Sequence, residues 1–272
     1  MKHNLIKFNT PITEVEINNS EQTPITLTSG VGTRYKVDSL IVTIPLGLLK
    51  TGAIQFSPPL PSPVQMAIST LGFGVLEKLF VRFPRAWWLT PLPDVSKAPV
   101  ALEFYRFSSL ISTKDQIPRG SVSWVSLARM HKPQPVFLIY VSTELAKYLV
   151  AMPKDKLRSM LQTYYVPRLP NYSADDPACQ ISAVDSSQWS LDPLSGYGSY
   201  THIPVGAEIG DGNMKILSEK ILEAGDGGVW FAGEHTADTE IHDGVKYTTM
   251  ATVTGAYKSG ERAANHVLKS LG

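Results

Sequence analysis

Hydrophobic and polar residues alternate in short bursts near the start of the chain. "ITEVEI", "PITLT" and "RYKV" each switch with a period of two and are separated by Asn-Asn and Ser-Gly-Val-Gly signals, which predicts a small antiparallel meander. "SLIVTI", from Ser39 to Ile44, breaks that rhythm, because Leu40, Ile41, Val42 and Ile44 leave neither face polar. It predicts a strand covered on both sides, as in a parallel sheet. Pro45 ends it, "LGLLK" reads as one helical turn, and "SPPLPSP" as a rigid loop. "VQMAISTL" then predicts a short helix closed by Gly72.

"GVLEKLFVRF" reads as a further strand, followed by the Pro-rich loop "PRAWWLTPLPDVSKAP" and three strands at "VALEFYRF", "GSVSWVSLA" and "PVFLIYV". "STELAKYLVAM" has a Ser/Thr cap ahead of an apolar stripe, and "PKDKLRSMLQTYY" starts with Pro, so both predict helices. "CQISAVDSSQW" is a strand leading into the Gly-rich "LSGYGSYTHIPVGAE". The chain closes with a strand at "VWFAG" and a long helix over "ATVTGAYKSGERAANHVLKSL". The pattern implies an α/β (α+β) fold. Residues 47–183 form a mixed sheet flanked by helices, and residues 1–46 and 184–272 each supply a buried strand to another sheet.

Composition narrows the partners. The 272 residues are 43% hydrophobic and 18% charged, which describes a globular chain with ample core. A formal net charge of +1, with no basic block, argues against a nucleic-acid or membrane surface held by bulk electrostatics. Cys179 is alone, so no internal disulfide forms. No apolar run has the length of a membrane span, and the opening residues carry no secretory h-region, which points to a cytoplasmic protein. The histidines are scattered, with His235 and His242 seven apart across an irregular stretch, so no metal site is expected.

Candidate chemistry gathers near the end of the chain. In "VWFAGEHTADTE" an apolar strand breaks into Ala-Gly and then presents Glu234. Gly233 permits a close approach and Glu234 offers an acceptor for hydroxyls; the plainer reading is a surface turn acid. In the last helix Ala251, Gly255, Ser259 and Ala263 recur every four residues, beside Ala256, Gly260 and Ala264. Such rows give a smooth face for a sheet or a flat ligand, and the helix start offers unpaired N–H groups to an anion. Lys78 stands on a strand face with Leu76, Phe80 and Arg82. A lysine there is costly to bury without a partner, and an edge lysine reaching water is the plainer alternative.

"VWFAGEHT" followed by "ATVTGAYKSGERAA" resembles the C-terminal FAD-binding signature of the flavin-containing amine oxidases, the group of polyamine oxidases, monoamine oxidases and lysine-specific histone demethylases. "VDSLIVTIPLGLLK", "IQFSPPLP", "LGFGVLEKLFVRFPRAWW" and "WSLDPLSGYGSYTHIPVG" match further family segments in order. The strand–GxGxxG–helix unit that opens the family does not occur, and "SGVGTRY" reads as a turn. The chain therefore resembles the C-terminal portion of a polyamine oxidase-like enzyme, whose dinucleotide-binding half is required from elsewhere.

The resemblance implies roles residue by residue. Lys78 would hold a water near the flavin, Tyr200 would line the amine cage, and Thr252 stands where monoamine oxidases carry a second cage tyrosine. Ser199 replaces the cysteine that bonds the flavin covalently in those enzymes, so FAD would be held non-covalently. Ile12 would lie near the adenine, Pro45 and Trp189 near the ring system. Gly233 and Glu234 would meet the cofactor, and Ala251, Thr252 and Val253 would line the flavin. For Tyr200 and Trp189 a core aromatic is the alternative. The implied substrates are a small-molecule amine and dioxygen, with a polyamine first and a histone lysine second. An inactive fragment or binding module without flavin is the rival from another class.

Overall fold

The computed structural model describes residues 6–89, 103–107, 118, 120–130, 134–205, 207, 212–237, 239–242 and 245–270, with the backbone alone for 239–242 and 245–247. Most of the Pro-rich stretch after Trp88 and the side chain of His242 lie outside the described residues. The chain packs as two compact units. The first comprises Met1–Gly74, Pro193–Gly196 and Tyr200–Gly272; the second comprises Val75–Asp192 and Tyr197–Ser199. Leu46, Val64, Ala67, Ile68 and Leu71 are buried in the core of the first unit.

In the first unit β1 (Ile12–Ile17), β2 (Ile25–Ser29) and β3 (Arg34–Val37) form the expected antiparallel meander. β4 (Ser39–Val42) follows, then helix α1 (Leu46–Thr51), β5 (Gln55–Ser57), which pairs parallel to β1, and helix α2 (Ser62–Thr70). α2 ends at Leu71, and Gly72 instead opens β6 (Gly72–Gly74). A Cβ on Gly72 would lie 2.3 Å from the His202 ring, so the strand needs glycine there.

The second unit is one antiparallel sheet with helices on one face, and the mixed pairing is confined to the first unit. β7 (Leu76–Arg82), β8 (Glu103–Phe107), β9 (Val122–Ser126), β10 (Val136–Ser142) and β11 (Ala183–Ser186) align in the order β11-β7-β10-β9-β8. Leu79, Val81, Trp124, Phe137, Ile139 and Val141 face a core shared with α3 (Thr143–Val150) and α4 (Lys154–Tyr164). Ser142 precedes α3, but its side chain makes no capping hydrogen bond. Lys78, Phe80 and Arg82 occupy the opposite, exposed face of β7.

The remaining elements return to the first unit: β12 (Tyr200–His202), α5 (Gly212–Ser218), β13 (Lys220–Ala224), β14 (Gly227–Phe231), the ribbon β15 (Thr239–His242) and β16 (Val245–Thr248), and α6 (Val253–Ser270). β14 runs parallel to β4, so the two apolar strands from opposite ends of the chain are neighbours. Val229 and Phe231 join the main core of this unit, whereas Trp230 and Ala232 pack with Ala263 of α6. Cover on both faces explains why these strands read as continuous apolar runs.

The two glycines of α6 differ. Gly255 is buried, and a Cβ there would lie 2.1 Å from the Thr249 carbonyl oxygen; around Gly260 a Cβ meets nothing within 4 Å. Gly255→Ala is expected to destabilise the protein by roughly 1–3 kcal/mol through overlap. Gly260→Ala is expected to stabilise it by about 0.5–1 kcal/mol through helix propensity. Urea midpoints of the two variants check this, and equal shifts would contradict it.

Candidate functional site

The break in "VWFAGEHT" has a backbone cause. β14 ends with the Ala232 N–H donating to the Val42 carbonyl at 3.0 Å, and Gly233 then adopts φ 139° and ψ 169°. That region is almost restricted to glycine, and a Cβ would lie 2.7 Å from the His235 ring. The kink starts a 3-10 turn over Glu234–Thr236, in which the Gly233 carbonyl accepts from the Thr236 N–H and hydroxyl. Ser259 of α6 secures it from the side, its Oγ accepting from the Gly233 N–H at 2.8 Å. The small-residue row of α6 is therefore a packing seam: Gly255, Ser259 and Ala263 are buried.

The kink aims the Glu234 carboxylate at two distant parts of the chain. Its Oε1 accepts from the Thr201 N–H at 3.0 Å and the Thr201 hydroxyl at 2.6 Å. Its Oε2 accepts from the Ala251 N–H at 2.8 Å. Ala251 has φ 60°, a left-handed conformation costing roughly 1–2 kcal/mol for a residue with a Cβ. A hydrogen bond to a charged acceptor contributes about 1.5–3 kcal/mol and offsets that strain. Next to these anchors stand Tyr200, half-buried in β12, and Thr252, exposed ahead of α6.

Thr252 caps the helix. Its Oγ1 accepts from the Gly255 N–H at 3.0 Å and donates to the Thr249 carbonyl. The Ala256 N–H is taken by the Thr252 carbonyl, and the first-turn N–H groups of Val253 and Thr254 find no acceptor among the described residues. Ala251, Thr252 and Val253 thus form an exposed lip at the positive end of the helix.

Structure thereby gathers Tyr200, Gly233, Glu234, Ala251, Thr252 and Val253 in the first unit. Ile12 and Pro45 belong to the same unit but take no part in the Glu234 hydrogen bonds. Ile12 packs against the core, and the Pro45 carbonyl accepts from the N–H groups of Leu48 and Leu49 at the start of α1.

Lys78 and Trp189 belong to the second unit. Lys78 is exposed, so the burial cost suggested by its apolar neighbours does not arise; the buried residue is Glu77 beside it. The Lys78 N–H donates to Ser187 Oγ at 2.8 Å, and its carbonyl accepts from the Ser187 N–H at 2.9 Å. Ser199 is also engaged here, its hydroxyl donating to the Leu76 carbonyl at 2.8 Å and accepting from the Leu76 N–H at 3.0 Å. Trp189 lies in a 3-10 turn, Trp189–Leu191, with half its surface exposed.

Sequence reasoning passed over Thr201, Glu77, Ser187 and Ser190, and saw Ser259 only as a small residue. For Ser259 a signal existed, since it is the one hydroxyl in a row otherwise of Ala and Gly.

His235 is 2% exposed, and its Nε2 has no hydrogen-bond partner among the described residues. Burial, reinforced by the nearby Arg262 charge, pushes its pKa down to about 4. The folded protein therefore keeps His235 neutral where the unfolded chain, titrating near 6.5, takes up a proton. This contribution to stability is whole above about pH 6.5 and is lost as the pH falls towards 4. Between pH 7 and 4.5 the wild type should lose roughly 2–3 kcal/mol more than His235→Phe in urea unfolding. Parallel losses would show that the histidine is not buried neutral.

A family model for flavin containing amine oxidoreductase matches residues 2–268. Lysine-specific histone demethylase 1 homolog 1 of Arabidopsis thaliana is 32% identical over 239 residues, which cover 86% of this chain and 24% of that protein. Lysine-specific histone demethylase 2 of Homo sapiens is 27% identical over 273 residues, covering 96% of this chain and 28% of that one. Among solved structures, a putrescine oxidase bound to putrescine shares the fold with a TM-score of 0.61 at 15% identity. That match covers 96% of this chain and 49% of the other. The chain thus spans about a quarter of the length of these curated relatives and about half of that solved chain. On this fold and these matches, the chain belongs to the flavin-containing amine oxidoreductase family.

Proposed function

We propose that this chain is the C-terminal portion of an FAD-dependent amine oxidase, and that it contributes the flavin-facing lip and the amine-binding wall. The observation that carries this reading is the Glu234 carboxylate, which fixes Thr201 and Ala251 and with them Tyr200 and Thr252. Family membership and the matching order of segments support it.

The residues present fit the cofactor. The first-turn N–H groups of Val253 and Thr254, at the positive end of α6, suit an anionic or electron-rich ring edge. Ala251, Thr252 and Val253 bring no bulky aromatic to that lip. Bound FAD would supply the acceptor for the hydride, and so the two electrons, leaving the carbon next to the amine nitrogen, and dioxygen would take those two electrons with two protons to give hydrogen peroxide. Tyr200 presents an aromatic face that attracts an ammonium group and shapes its slot. Lys78 holds a water through its ammonium group. With serine at position 199 the chain has no thiol there to bond the cofactor, which is then held non-covalently. The phosphate contacts come from a GxGxxG segment outside these residues.

A polyamine is the substrate we favour, and its support is the fold shared with putrescine oxidase. A methylated lysine side chain is the second reading, supported by the names of the curated relatives. For both, Thr252 in place of a second cage tyrosine leaves one side of the slot open.

The complete protein should purify yellow, with the visible bands of oxidised flavin, and release peroxide from spermine faster than from a methyl-lysine peptide. The reverse preference would select the second reading, and a colourless protein would refute the flavin assignment. Lys78→Met in that protein should slow flavin reduction or reoxidation by roughly 10²-fold without loss of FAD. Normal turnover would remove Lys78 from the site.

A further inference from the structure

Glu77 is fully buried, on the inward face of β7 with Leu79 and Val81, and forms no ion pair among the described residues. Burial of a carboxylate without a cation is costly, and an apolar side chain of similar volume would serve packing alone as well or better. Neutral donors from one short segment meet it instead. Its Oε1 accepts from both the Ser190 N–H and the Ser190 hydroxyl at 2.7 Å, and its Oε2 accepts from the Ser187 hydroxyl.

Two connections lead outward from this group. Ser187 exchanges hydrogen bonds with the Lys78 backbone in both directions, extending the β7–β11 pairing by one residue. Trp189 lies between Ser187 and Ser190, so residues on both sides of it are bonded to the same carboxylate. We propose that Glu77 is a positioning residue, whose buried carboxylate fixes the Trp189 turn and the Lys78 backbone relative to each other. The proposal rests on the reading above for what Lys78 and Trp189 do. The mechanical part stands without flavin. Fixed geometry matters because a misplacement of about 1 Å at a reacting centre costs on the order of 10²-fold in rate.

The test uses the whole chain labelled with 5-fluorotryptophan and read by fluorine NMR. Its five tryptophans give five lines, and Trp189→Phe identifies that of Trp189. Trp87, Trp88, Trp124 and Trp230 are buried and report on the fold. Glu77→Leu should shift or broaden the Trp189 line and leave the other four in place. Glu77→Gln, which keeps an acceptor for Ser190, should fall between Glu77→Leu and the wild type. A Trp189 line unmoved by Glu77→Leu overturns the proposal. Should that variant lose all five lines, the Ser187→Ala/Ser190→Ala double variant decides, since it keeps the carboxylate and its bond from the Ser190 N–H. A shift of the Trp189 line alone supports the positioning role, and an unmoved line overturns it. In the flavin-loaded complete protein Glu77→Gln should lower turnover several-fold with FAD content unchanged. Absence of FAD from the wild type would refute the functional reading and leave the fluorine result standing.

Discussion

One carboxylate organises the candidate site of the first unit. Glu234 follows a kink that only glycine adopts readily, and it accepts hydrogen bonds from Thr201, 33 positions before it, and from Ala251, 17 positions after it. Without that acceptor two N–H groups and a hydroxyl lose their partner, Ala251 loses a bond that offsets its left-handed strain, and the strand bearing Tyr200 and the entry to α6 lose this polar link. Placement of the proposed aromatic wall and flavin lip follows from this constraint, and the Ser259 contact braces it from the helix side.

The second unit repeats the device with a different residue. Glu77 accepts from a turn instead of pairing with a cation, and the groups it holds are again the neighbours of residues proposed to act. In both units the acid is spent on backbone and hydroxyl donors, so its negative charge sets geometry before it sets chemistry. Polar networks of this kind specify one arrangement where apolar packing tolerates several.

Much of the fold was legible because it follows from local pattern. β4 and β14 read as strands covered on both faces, and they are neighbours; the meander, the strands of the second unit and the helices α3, α4 and α6 also lie where periodicity puts them. Errors arose where distant contacts decide. Gly72 looked like a helix stop and is a strand residue under the His202 ring. The apolar side chains of α1, β5 and α2 are buried with those of both ends of the chain, which no local pattern marks. In the candidate site, the kink at Gly233 and the acid after it were legible because a glycine-acid pair after an apolar run is unusual. What the carboxylate accepts was not, since no local pattern marks Thr201 or Ala251 as its partners. For Lys78 the sequence left a buried and a water-exposed side chain both open, and its place on the exposed face of β7 decides for the second.

The proposed function needs its aromatic wall and its cofactor lip held at fixed spacing, and the Glu234 hydrogen bonds to Thr201 and Ala251 are the link it relies on within the first unit. Amide hydrogen exchange of Thr201 and Ala251, compared between the wild type and Glu234→Ala, tests it most directly. The account requires both amides to exchange roughly ten- to a hundredfold faster in the variant, as loss of a bond to a charged acceptor implies, with β7 and β10 unchanged. Unaltered protection at both amides would contradict it.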